Sequence, residues 1–140
     1  MSINVIMTAS FGKGLATHLL KWLTNLSRAK RDRQVQSIKA VNKVVSLIRK
    51  TTAYLRGLRV GKQDFGLEAA LAEGWSDLAH ELAELKLDAL AKKCDITGRY
   101  WADSNQFTLE FMAQADISFK TVEKMARDLV IQIRINGNPS

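Results

Sequence analysis

Asp77, His80 and Glu84 fall three and four residues apart, so on a helix they line one edge. An acidic residue three before a histidine is half of the donor set that helical bundles use to hold a pair of metal ions. The other half would need a second histidine with a carboxylate at matching spacing, and His18, the only other histidine, has none on its own helix. His80-Glu81 does not open a zinc-protease motif either, because Glu84 stands where the second histidine ligand would be required. The expectation is a surface histidine among carboxylates, with no metal site and no cofactor. Cys94 sits among Lys92, Lys93 and Asp95 near the expected C-terminal end of a helix, where the dipole opposes a thiolate and the lysines favour one. With no histidine beside it in sequence, it reads as an incidental thiol and not as a nucleophile. Gly12-Lys13-Gly14 is too short for a nucleotide-binding loop and follows no convincing strand. The residue types that do chemistry thus form no catalytic set, and the expectation is that the protein is not an enzyme.

Charge is the stronger signal. From Arg28 to Lys62, eleven Lys and Arg residues stand against Asp32 alone. At 100° per residue, Lys39, Lys43 and Lys50, flanked by Arg31, Arg49 and Arg56, lie opposite an apolar seam of Ile38, Val41, Val45, Ile48, Thr52 and Leu55, with Val44 and Leu58 at its edge. Such a band suits phosphate contacts, which need charge and no base readout. Tyr54 is the only ring in this helix, so base stacking is nearly absent and duplex or structured RNA fits better than single strands. A second, separate pattern is FTLEFMAQADISFKTVEKMARDL, residues 107–129, which resembles a helix-turn-helix. Phe111, Met112 and Ala115 would pack the first helix, Asp116-Ile117 the turn, and Ser118 would cap a helix anchored by Val122 and Met125, leaving Lys120, Thr121, Lys124 and Arg127 to face a groove. Asp116 stands where that turn favours glycine, and Glu123 and Asp128 dilute the charge of the reading face. The predicted nucleic-acid contacts are therefore Lys39, Lys43, Arg49, Lys50, Arg56, Lys120, Lys124 and Arg127. The competing reading of the basic band is a face paired with acidic residues inside the fold.

The elements that must position these side chains follow from periodicity. Residues 1–10 alternate weakly and read as a tail or a short strand. Phe11, Leu15, Leu19, Trp22, Leu23 and Leu26 recur at helical spacing, predicting a first amphipathic helix used for core packing; a membrane-surface helix would carry more Lys and Arg on its polar face. The second helix starts between Ser27 and Asp32 and fades near Gly57 and Gly61, glycine being favoured just past a helix end. A third is predicted from Asp64 or Leu67 to Lys93 on the seam Leu71, Trp75, Leu78, Leu82, Leu85 and Ala89. Its acidic stripe of Glu73, Asp77, Glu81, Glu84 and Asp88 would lie beside the basic flank of the second helix in an antiparallel hairpin. Thr97-Gly98 and Asp103-Ser104-Asn105 read as loop around Tyr100 and Trp101, the stretch to Ala113 fits a strand or a helix, and Ser118 to Ile133 predicts a last helix. The tail Ile131, Ile133 and Ile135 fits a strand-like ending as an alternative.

With 140 residues, one proline and 46% hydrophobic content, the chain fits a single domain, 1–140, able to bury roughly two-thirds of its unfolded surface. The predicted fold is mainly α: an antiparallel bundle of three long amphipathic helices over 11–93, with a smaller element over 94–140 that ends in a fourth helix. The alternative is α+β, with a short hairpin near 99–113. A single cysteine fits a reducing compartment, the N-terminal stretch lacks the basic start of a secretory signal, and no uncharged apolar run reaches the roughly 20 residues of a membrane span, so a cytoplasmic location is expected. Residues 1–62 carry thirteen basic side chains and one acidic, residues 63–140 eight basic and thirteen acidic. That asymmetry predicts a non-enzymatic interaction protein with an acidic partner, nucleic acid first; the alternative is a structural or adaptor subunit, or a homo-oligomer, assembled through helical packing.

Overall fold

The structure is a computed structural model that describes residues 2–100 and 109–137, with side chains described for 14–99, 113–115 and 117–135. Among the described residues there are five helices and no strand: α1 (Ser2–Ser27), α2 (Arg31–Arg59), α3 (Phe65–Glu84), α4 (Asp88–Tyr100) and α5 (Leu109–Gly137). The helical-bundle prediction holds. Neighbour packs on neighbour in a closed circuit, with α5 between α1 and α2, α3 between α2 and α4, and α4 touching α1. The pairs α2–α3, α3–α4 and α2–α5 are antiparallel.

The core is drawn from all five helices. Leu15, Leu19, Leu23 and Leu26 of α1, Trp75, Leu78 and Leu82 of α3, Cys94 of α4, and Phe119, Val122 and Ala126 of α5 are buried in one cluster. Near its middle Trp75 and Phe119 hold their ring centroids 6.0 Å apart at 34°, a tilted aromatic contact that adds to burial. The Trp75 indole N–H donates to Thr51 Oγ1 at 3.3 Å, and that hydroxyl donates in turn to the Leu47 carbonyl at 2.7 Å. The C-terminal carbonyls of α1, which have no partner in their own helix, are met by other elements: Gln34 Nε2 donates to Leu26 O at 3.1 Å and Ser27 O at 3.3 Å, and Gln132 Nε2 to Ser27 O at 3.3 Å. The buried face of α2 is broader than the predicted seam. Ser37, Ala40, Leu47, Thr51 and Tyr54 are buried alongside Val41, Val44, Ile48 and Leu55, because α2 is packed by α3 on one flank and α5 on the other.

Several sequence expectations are corrected. The N-terminal residues are not a tail or strand, since α1 begins at Ser2. The third predicted helix is two. At its break Lys86 N–H bonds Ala83 O at 3.0 Å and Leu87 N–H bonds Leu82 O at 2.9 Å, with Lys86 at φ 65°, the backbone pattern of a Schellman cap. The chain then turns back as α4. Thr97-Gly98 lies inside α4 and not in a loop: the Thr97 hydroxyl donates to Lys93 O at 2.8 Å, and a Cβ on Gly98 would stand 3.0 Å from Ala72 O, so glycine there permits the close approach of α3. The helix-turn-helix is also overturned, because α5 runs without interruption through Asp116-Ile117, and its end carries Ile131, Ile133 and Ile135 as helix and not as strand. The hairpin considered near 99–113 is not needed: 99–100 and 109–113 are helical, and the stretch between them, with Trp101 and Asp103-Ser104-Asn105, lies outside the described residues.

Candidate nucleic-acid interface

Along α2 the residues left uncovered by α3 and α5 include Lys39, Asn42, Ser46, Arg49, Lys50 and Arg56, all exposed. On the α3 flank, Lys39 Nζ lies 3.2 Å and Lys43 Nζ 3.3 Å from the same oxygen, Glu81 Oε1. The ammonium of Lys39 first, and that of Lys43 after it, hold the Glu81 carboxyl below the usual carboxylate range against the opposing effect of desolvation. On the α5 flank, Arg127 Nε lies 3.0 Å and Arg49 Nε 3.6 Å from Glu123 Oε2. Two carboxylates thus hold four cations, and each cluster keeps a unit of positive charge. Lys50 stands on the α3 flank, two turns beyond Lys43, without an ion pair among the described residues. It lines a cleft of about 240 Å³ between α2 and α3 with Lys43, Ser46, Tyr54, Gly74 and Asp77. Lys124 on α5 pairs with Asp128 at 2.9 Å, one turn on, where both side chains are solvated and the pair contributes little. Arg56 and Lys120 are exposed.

The structure therefore gathers the predicted residues differently from the sequence reading. Lys120, Lys124 and Arg127 are not on a separate recognition helix; they lie on the outer side of α5, antiparallel to α2, and Glu123 joins Arg127 to Arg49 across that packed pair. Glu123, which in sequence only diluted a reading face, is an organising residue. No periodicity signals it, since the α2–α5 adjacency is tertiary.

The other candidates resolve as follows. Asp77, His80 and Glu84 are exposed, and among the described residues no three His, Cys, Asp or Glu side chains converge as a metal would require. Cys94 is fully buried, and burial pushes its thiol up to about 12, so it is protonated near neutral pH and no thiolate is on hand for attack. Gly12-Lys13-Gly14 lies within α1, where its amides belong to the helix. A larger cleft of about 860 Å³ lies where α1, the start of α2 and the α3–α4 turn meet, but it mixes Lys21, Arg33 and Lys86 with Glu84 and Asp88 and so shows no preference for one sign of charge. No described helix is long and apolar enough to cross a membrane. Compared with known proteins, the chain matches no family model, no curated protein and no solved structure.

Proposed function

We propose that the protein is a non-enzymatic interaction protein of the cytoplasm whose α2 face, extended by α5, binds a phosphate-rich polymer, duplex DNA or structured RNA. One observation carries this reading: Glu81 and Glu123 are each shared by two cations, so internal pairing leaves the band positive and also fixes where its charges stand. Shared carboxylates restrain the four side chains, which lowers the entropy lost when they meet phosphates. Short polar residues, Asn42 and Ser46, lie exposed along the same helix, so no bulky side chain there obstructs a backbone. The single thiol, buried and unpaired, fits a reducing compartment.

The test is salt dependence. Binding to a nucleic-acid duplex should weaken linearly on a log-log plot as salt rises, with a slope set by the phosphates neutralised. Replacing Lys39, Lys43 and Lys50 together with Gln should reduce that slope by roughly two to three units. Glu81→Gln is the sharper variant: it removes a negative charge at the cost of the restraint on both lysines, and because the gained charge outweighs that restraint at low salt, duplex affinity there should rise, by roughly threefold to tenfold. Absence of duplex binding by the wild-type protein at low salt overturns the reading.

A second reading, an adaptor or homo-oligomer, has its own support in α5, where Ile131 and Ile135 stand one turn apart and are 56% and 66% exposed. Light scattering behind size exclusion checks it, a strict monomer at high concentration counting against self-association.

A further inference from the structure

Ser37 and Trp22 line one cleft, and each buries a polar group that has no hydrogen-bond partner among the described residues. Ser37 is 3% exposed, yet its hydroxyl is unbonded. Among the described residues every other buried Ser, Thr, Gln or Glu side chain is satisfied: Gln34 bonds the end of α1, Thr51, Thr52 and Thr97 bond carbonyls of their own helices, and Glu68 accepts from Tyr54. Trp22 is 9% exposed and its indole N–H is likewise unpartnered, whereas that of Trp75 donates to Thr51 Oγ1 at 3.3 Å. Buried donors and acceptors are almost always paired, so two unpaired groups on the wall of one cleft mark a site for a molecule that can pair them.

This is the cleft of about 860 Å³ where α1, the start of α2 and the α3–α4 turn meet, a size within the range of about 300–1,000 Å³ that holds a small ligand. Leu26, Leu85, Leu87 and Leu90 line it with Trp22, so much of its wall is apolar. Its charges are divided by element. Lys21 of α1 and Arg33 of α2 stand on one side, and Glu84 and Asp88 stand at the α3–α4 turn, with Lys86 between them in sequence. None of these five has an ion pair among the described residues, so the opposite charges stand too far apart to satisfy one another. A ligand that suits these walls carries an anion at one end and a cation at the other. Between them it needs a carbonyl to accept from the Trp22 N–H, a group to bond the Ser37 hydroxyl, and an apolar body. A fatty anion would leave Glu84 and Asp88 unmatched, and a free amino acid has no carbonyl apart from its charged end. We infer that the cleft binds a short apolar peptide with free termini, its carboxylate toward Lys21 and Arg33, its ammonium toward Glu84 and Asp88, and its amide on Trp22 and Ser37. The inference goes beyond the α2 face proposed above, since Lys39, Lys43 and Lys50 do not line this cleft.

The experiment titrates the dipeptide Leu-Phe into the full, nitrogen-labelled chain and follows the indole N–H resonances by NMR, that of Trp22 being assigned with Trp22→Phe. The expected result is a saturable downfield shift of the Trp22 resonance, which gains a hydrogen bond, with that of Trp75 moving far less because it already has one. Ser37→Ala should weaken binding roughly threefold to tenfold, the worth of one hydrogen bond. Its thermal melt should stay level or rise, because the variant removes a buried group that the fold itself does not pair. Acetylating the amine and amidating the carboxylate of Leu-Phe should weaken binding roughly tenfold, two partly solvated ion pairs being lost. Glu84→Gln should weaken binding of Leu-Phe and leave that of N-acetyl-Leu-Phe unchanged. The K39Q/K43Q/K50Q variant should bind Leu-Phe as the wild type does, which separates this site from the duplex-binding face. No saturable shift with Leu-Phe at low millimolar concentration overturns the inference, as does equal binding by wild type and Ser37→Ala or by the free and the doubly capped dipeptide. A lower melting temperature of Ser37→Ala overturns it too, since the hydroxyl would then be paired within the fold. Binding of free phenylalanine as tight as that of Leu-Phe overturns the peptide in favour of an amino acid.

Discussion

At the end of α2, Gly61 sits at φ 82°, and at the end of α3, Lys86 sits at φ 65°; the two turns share one hydrogen-bond pattern and use it in opposite ways. In the α3–α4 turn a lysine takes a backbone conformation that costs a residue with a Cβ about 1–2 kcal/mol. The neighbours offset that cost, for Leu85 and Leu87 turn inward and pack against the core beside Leu82. In the α2–α3 turn glycine takes the conformation without penalty, polar groups from Tyr54, Gln63, Asp64 and Glu68 hold the crossing, and Val60, Phe65 and Leu67 point outward. The hairpin α3–α4 is thus closed by its apolar turn residues, whereas α2–α3 is closed without them. The same backbone cap therefore leaves apolar side chains exposed at one turn and packs them against the core at the other.

The largest effect that would break this comparison lies at the helix contacts behind each turn. A Cβ at Gly98 would meet Ala72 O at 3.0 Å and Ser76 Oγ at 3.1 Å, so α3 backbone stands in the way, while a Cβ at Gly74 would meet Leu47 Cδ1 at 2.8 Å, the free end of a side chain that can rotate. Gly98→Val should therefore lower unfolding free energy by about 2–3 kcal/mol in urea titrations. Gly74→Ala should change it by less than about 1 kcal/mol, since the gain in helix propensity offsets the rotation of Leu47. Equal losses at the two positions would show that the hairpins are packed alike.

The same contrast sets how much of the molecule was legible in its sequence. Leu15, Leu19, Leu23 and Leu26 mark α1, and Phe119, Val122 and Leu129 mark the second half of α5, because each repeats at helical spacing against one core. Gly61 announced the end of α2 by residue type. Lys86 announced nothing, and Leu82, Leu85 and Ala89 continue the spacing of a helix across a turn, so the break between α3 and α4 was hidden by apolar residues that the turn itself requires. Within the candidate site, the meeting of Lys39 and Lys43 with Glu81 was within reach, since a basic and an acidic stripe on consecutive helices face one another in a hairpin. The meeting of Arg49 with Glu123 was not, because the two residues lie on helices far apart in sequence and only the closure of the bundle brings α5 beside α2. Phe65 was equally hidden: it lies outside the predicted seam of Leu71 to Ala89, so periodicity assigns it no face, and its 75% exposure is visible only in the fold.

A second pair of variants sharpens the comparison at the turns themselves. Open space surrounds the Cβ position of Gly61, so Gly61→Ala meets no clash and should cost only the conformational penalty, about 1 kcal/mol. Lys86→Gly should move stability the other way, by up to about 1 kcal/mol, the relief of strain being partly offset by the greater freedom of glycine in the unfolded chain. Opposite shifts of the urea midpoint at unchanged slope are the expected outcome. A loss at both positions would mean that the Lys86 side chain contributes more to the α3–α4 turn than its backbone conformation costs.

The smallest effect separates the hairpins by acid. Glu81 of α3 holds Lys39 and Lys43 of α2, whereas the ion pair of α4, Arg99 with Asp95 at 3.0 Å, stays within one helix and latches nothing to α3. Because the folded protein holds the Glu81 carboxyl below its ordinary value of 4.5, the charged form is favoured by folding, and its contribution is complete above about pH 4.5. That contribution is lost as the pH falls through the lower folded value, where protonation releases both lysines. All three side chains are partly solvated, Lys39 at 72% and Glu81 at 20% exposure, so the loss is a fraction of a typical buried pair and falls within the ~0–1 kcal/mol of surface ion pairs. Urea midpoints followed from neutral pH down through this window should decline in the wild type and decline less in Glu81→Gln, which has no proton to take up. In native-state hydrogen exchange at the acid end, amides of α2 and α3 near the clamp should lose protection before those at the Gly98 contact of α3 with α4. Simultaneous loss at both places would show that the Glu81 clamp adds no stability of its own to the α2–α3 hairpin.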